Sequence, residues 1–64
     1  MKKIERILLE CRYILSLDKS YSEIANYLNI NEDIVYDDLN NQLPKIDQLL
    51  YKRIKNMKKI SFNK

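Results

Sequence analysis

The chain has 64 residues, 45% of them hydrophobic, and a formal net charge of +3 at pH 7. Such a length allows one domain, and burial of only about 60% of the unfolded surface leaves little room for an enclosed catalytic pocket, so no enzyme is expected. With no glycine, no histidine, one proline and one cysteine, the composition excludes glycine-rich phosphate cradles, Cys–His nucleophiles, zinc sites and internal disulfides, and argues against tight β-turns.

Apolar residues recur at helical spacing, and the expected fold is all-α: a small helical bundle of about four helices. The first helix takes roughly residues 3–17, where Ile4, Ile7, Leu8, Cys11, Ile14 and Leu15 form a core-facing stripe. Cys11 on this stripe reads as an inert packed thiol. Glu5, Arg6, Glu10 and Arg12 interrupt the segment, which is not the apolar region of a secretory signal. No apolar run nears the roughly 20 residues that span a bilayer, so no membrane partner is expected. A single cysteine fits a reducing cytoplasm, the expected location.

Asp18, Lys19 and Ser20 break the first helix. Ser20 and Glu23 form a capping box for a short second helix that ends near Leu28 and turns Ile24, Ala25 and Leu28 inward. Asn29 is placed where a left-handed residue is wanted, Ile30 plugs the corner, and Asn31 caps the third helix. Ile34 and Val35 anchor that helix, and Val35, Leu39 and Leu43 line its buried side. Pro44 is expected to end it, because the residue before a proline resists helical geometry. Asp47 then caps a fourth helix with apolar positions Ile46, Leu50, Ile54 and Met57, extending toward Ile60, and the tail "SFNK" is expected to fray. Tyr27 and Tyr51 are expected to be half-buried, leaving Tyr21 and Tyr36 to meet a partner.

Charge is segregated along this order. Residues 1–30 net +1, residues 31–47 net −4 through Glu32, Asp33, Asp37, Asp38 and Asp47 against Lys45, and residues 48–64 net +6 with no acid. A basic stripe of that kind reads either as a solvated face or as a contact for a polyanion. Glu32 and Asp33 suit the first turn of a helix, and Asp38 is expected to face sideways toward a lysine of a neighbouring helix. Asp33 and Asp37 are spaced to share a hard cation, but an open helix face offers too few oxygens, so no metal or cofactor is expected.

Residues 21–43 fit a helix-turn-helix: a short helix, small Ala25, turn residue Asn29, plug Ile30, and Val35 six positions after the turn residue. The whole chain then reads as one domain, with a leading helix over 1–20, the helix-turn-helix over 21–43, and a basic C-terminal helix and tail over 44–64. From Ile24 to Met57, "IANYLNINEDIVYDDL", "QLPKI" and "LYKRIKNM" resemble the stage III sporulation protein D family, helix-turn-helix transcriptional regulators of endospore-forming bacteria. The resemblance covers about half the chain, and its most specific part is the Leu-Pro element, Leu43 to Ile46. It implies a sequence-reading regulator that binds double-stranded DNA through Asn31 to Asn41, assisted by the basic helix. Where the family opens its reading helix with serine, lysine and threonine, this chain has Asn31-Glu32-Asp33-Ile34.

The residues expected at such an interface are Tyr21, Ser22, Asn31, Tyr36, Asn40 and Asn41 for bases and sugars, and Lys52, Arg53, Lys55, Lys58 and Lys59 for phosphates. Neutralising four to six phosphates implies a salt slope of about −4 to −5. The competing reading is a helix-turn-helix adaptor that binds no DNA and offers Glu32, Asp33 and Asp37 to a basic protein surface or mimics DNA. Either would be a monomer or a weak dimer, the latter joining the −4 and +6 segments of two copies.

Overall fold

The computed structural model describes the backbone of residues 1–62 and side chains through Met57. Helix α1 spans Lys3–Leu17, α2 Tyr21–Leu28, α3 Glu32–Asp37, α4 Leu43–Ile46 and α5 Gln48–Phe62, with a π-helical turn over Asp38–Gln42 between α3 and α4. Backbone angles stay right-handed helical at Asp37, Asp38, Gln42 and Leu43, so α3, the π turn and α4 make one continuous rod. Four helical rods result, an all-α bundle. Among the described residues no helix is long and apolar enough to cross a membrane.

Without glycine, the chain uses short polar residues wherever it must turn left-handed. Asp18 (φ 52°) closes α1 and Asn29 (φ 57°) closes α2, both residue types that tolerate this region because their side chains compensate locally. The Lys19 amide reaches back to the Tyr13 carbonyl at 3.3 Å, and the Ile30 amide to Ala25 at 3.0 Å. Ser20 opens α2 as expected: its hydroxyl accepts from the Glu23 amide at 3.2 Å, and Glu23 accepts from the Ser20 amide at 2.9 Å. Asp47 caps α5 by accepting from the Leu50 amide at 3.1 Å. Asn31 takes the extended cap conformation before α3, but its side chain makes no capping hydrogen bond.

Ile7, Cys11 and Ile14 of α1 meet Tyr21, Ile24 and Ala25 of α2, Val35 and Leu39 of the long rod, Leu43 of α4 and Ile54 of α5 in one core. Leu28, Ile30, Leu50, Tyr51 and Met57 pack against its margin. α2 lies on α3, while α5 lies on α1 and α4, and α1 also packs on the π turn.

Several expectations need correction. Ile4 and Leu8 remain 55% and 45% exposed, because the inward face of α1 is rotated to Ile7, Glu10, Cys11 and Ile14. Ile34 and Ile46 are exposed as well. Tyr27, by contrast, is about half-buried as expected, 54% exposed with its ring 5.3 Å from that of Tyr13. Pro44 does not end the helix. Leu43, just before it, stays helical at φ −57°, ψ −44°, and its amide donates five residues back to Asp38. A proline ring inside an α-helix meets the carbonyl four residues earlier; the i→i+5 register of a π turn relieves that conflict. The rod stops instead at Asp47, where the backbone is extended. Ser61 and Phe62 continue α5 rather than fraying, and Asn63 and Lys64 lie outside the described residues.

Replacing Asn29 tests the turn directly. Asn29→Gly should leave stability within about 0.5 kcal/mol, whereas Asn29→Val should cost about 1–2 kcal/mol, since a β-branched residue resists positive φ. Urea unfolding monitored by circular dichroism reads both.

Candidate nucleic-acid interface and the ion cluster behind it

The residues expected to meet DNA divide into three groups. Ser22 on α2, Asn31 just before α3 and Tyr36 near the end of α3 lie exposed, available to a partner. Lys52, Arg53 and Lys55 are exposed on α5. Among the described residues none of these three cations has an ion-pair partner, and the Lys55 ammonium stands 5.8 Å from the Tyr51 ring centre. The side chains of Lys58 and Lys59 lie outside the described residues.

The third group is engaged by other groups of the protein, and two of its members, Tyr21 and Asn40, are turned inward, contrary to expectation. Tyr21 is only 8% exposed and belongs to the core. Its hydroxyl accepts from the Asn40 amide at 3.2 Å, and its ring meets Tyr36 edge-on at 5.8 Å. Burial raises the Tyr21 pKa, opposed by the Asn40 hydrogen bond. Asn40 also donates to the Tyr36 carbonyl at 2.9 Å, so its amide positions the rod rather than reading a base. Asn41 is exposed but donates to Asp37 at 2.7 Å, and Gln42 donates to the other Asp37 oxygen at 3.2 Å. The second bond depends on the π turn, whose wider spiral aligns residues five apart.

Those two donors give Asp37 partners within its own helical rod. They hold its carboxyl below the ordinary range, aided by the fields of Lys3 and Lys45. Glu32, Asp33 and Asp37 therefore form an exposed acidic ridge on α3. None of the three is paired with the cations of α5. The two charge clusters of the sequence do not neutralise each other within the described residues.

Behind the ridge lies a feature the sequence reading missed. Asp38 is 1% exposed and faces inward, where the Arg6 guanidinium of α1 grips it with two bonds, Nε to Oδ2 at 2.7 Å and Nη2 to Oδ1 at 2.9 Å. The expected lysine partner is thus an arginine, and the contact is part-buried, with Asp38 enclosed and the Arg6 side chain 26% exposed. Glu10 lies one turn along α1, fully buried, with Oε2 3.8 Å from Arg6 Nε. Neither Glu10 oxygen has a hydrogen-bond donor in reach. An ionised carboxylate in that position would be strongly disfavoured. Burial, then the adjoining Asp38 carboxyl, pushes Glu10 up to about 9, with Arg6 pulling weakly the other way. Glu10 is therefore a neutral acid at pH 7, which leaves the Arg6 guanidinium to its two bonds with Asp38. Next to it, burial drives the Cys11 thiol up to about 12, which removes nucleophilic character. Among the described residues no cluster of three or more potential ligands is placed to hold a metal ion.

The sign of the Glu10 effect is fixed by linkage. Between its ordinary value of 4.5 and about 9 the folded chain holds a proton that the unfolded chain releases, so stability falls as pH rises through that window. Glu10→Gln keeps a neutral side chain of similar shape. The variant should flatten the decline in Tm between pH 5 and 9 and be more stable than the parent at pH 8 by roughly 1–4 kcal/mol. Thermal melts across pH check this, and an unchanged slope would place the titrating group elsewhere.

Comparison with known proteins finds no family model, no curated protein and no solved structure that matches this chain.

Proposed function

We propose that this protein is a small cytoplasmic, non-enzymatic DNA-binding regulator in which α2, the Asn29 turn and α3 act as a helix-turn-helix and α5 clamps phosphates. The observation that carries this reading is the exposed set Lys52, Arg53 and Lys55 on α5, which among the described residues forms no ion pair with the acidic ridge or with any other carboxylate. Cations on a rigid helix attract a duplex through counterion release without needing base contacts. Sequence reading falls to few side chains. With Tyr21 and Asn40 committed inside, Ser22, Asn31, Tyr36 and Asn41 remain for bases and sugars, and carboxylates on the same helix repel phosphates. The reading is therefore one of weak duplex binding with a modest sequence preference, in keeping with the resemblance to the stage III sporulation protein D family.

A second reading is favoured by one specific observation: Asp37 is held ionised by Asn41 and Gln42 beside Glu32 and Asp33. A preorganised anionic ridge suits a basic protein surface, or mimicry of a DNA strand, and makes the molecule an adaptor instead.

Titration of a labelled mixed-sequence duplex separates the two. Micromolar binding at about 50 mM salt that weakens by roughly one to three decades at about 200 mM supports the regulator. Exchange of Asp33 and Asp37 for lysine should then tighten binding with the helical content retained. Absence of binding at the lower salt supports the adaptor, and unchanged affinity in the exchanged variant removes α3 from the groove.

A further inference from the structure

Helix α1 has a second face. At about 100° per residue, Glu5, Leu8, Leu9 and Arg12 fall opposite Ile7, Cys11 and Ile14, and these four side chains line an open groove of about 290 Å³. Exposed Leu8 and Ile4 add apolar surface along its flank. Glu5 and Arg12 are exposed, and neither has an ion-pair partner among the described residues.

The lining has an internal symmetry. Leu8 and Leu9 stand either side of a midpoint, and Glu5 and Arg12 stand equally far from it with opposite charge. We propose that this face pairs with the same face of a second copy, α1 against α1, antiparallel about a two-fold axis between Leu8 and Leu9. Positions equidistant from the axis then meet: Leu8 of one copy lies against Leu9 of the other, and Glu5 faces Arg12 twice. Isologous contact of this kind demands a self-complementary patch, and the charge order of the groove supplies one. A parallel arrangement would set Glu5 against Glu5 and Arg12 against Arg12, which like-charge repulsion disfavours. The surface is distinct from the acidic ridge and from α5, so the pairing does not depend on DNA binding.

One helix face per copy buries less than the ~800 Å² per partner typical of stable complexes, so the dissociation constant should be on the order of 100 µM. Sedimentation equilibrium of the whole chain tests this by following the average mass above the 7.8 kDa of one copy. Arg12→Glu and Glu5→Arg each place like charges across the axis twice, and each alone should weaken association by about tenfold or more. An equimolar mixture of the two variants restores both opposite-charge contacts and should regain association. Glu5 also accepts from the Lys2 amide at 3.3 Å at the start of α1, so helical content is checked by circular dichroism. If Glu5→Arg loses its helix, Arg12→Glu, far from that cap, decides alone. A parent chain that stays at the mass of one copy at about 1 mM, or an Arg12→Glu chain that associates as tightly as the parent, overturns the proposal. So does a mixture of two folded variants that associates no better than either one.

Discussion

Arg6 and Asp38 are separated by 32 positions and joined by two short hydrogen bonds. Their contact fixes α1 against the centre of the long rod, at the π turn. Around them stand Glu10, Cys11, Leu39 and Leu43, all buried. The π turn, the rotation of α1 about its axis and the protonation of Glu10 all relate to this one contact. Bringing Asp38 to the inward side places a carboxyl beside Leu39 in a core this small. Turning α1 so that Arg6 reaches it brings Glu10 inside and leaves Ile4 and Leu8 outside. Breaking a buried bidentate pair by removing one partner typically costs about 3–5 kcal/mol, and with the Arg6 side chain 26% exposed the lower end of that range applies. For a domain of this length that is comparable with the whole of its stability.

Glu10 makes the arrangement electrically workable. Two ionised carboxyls beside one guanidinium would leave a buried excess negative charge, which the interior does not tolerate. Holding one carboxyl neutral removes the excess at the cost of a pH-dependent fold. The same burial keeps Cys11 inert, as its place on the apolar face implied.

Much of the local structure could be read from the sequence because it rests on interactions within a few residues. The Ser20–Glu23 box, the left-handed Asn29, the Val35-Leu39-Leu43 line and the Asp47 cap all follow from spacing and side-chain chemistry. What escaped was long-range. Arg6 and Glu10 registered only as charges interrupting an apolar segment, and no periodicity links them to Asp38. A signal was present: Glu10 falls on the same helical face as Ile7, Cys11 and Ile14, where a carboxyl needs a partner. Pro44 misled for a related reason, since the rule about the preceding residue assumes an α register that the π turn abandons. Tyr21 and Asn40 looked available because each sits at a polar helix position, but they satisfy one another across the turn. The outward acids and the α5 cations, in contrast, stand where their segregation in the sequence placed them. The functional proposal rests on those exposed charges.

A double-mutant cycle on Arg6 and Asp38 addresses the central interaction most directly. Arg6→Gln, Asp38→Asn and the combined variant are unfolded in urea at pH 6, below the raised pKa of Glu10. Each single change is expected to cost about 3 kcal/mol and the pair together less than the sum, with a coupling of about 2 kcal/mol. Coupling below about 0.5 kcal/mol, the range of an exposed pair, would contradict this expectation.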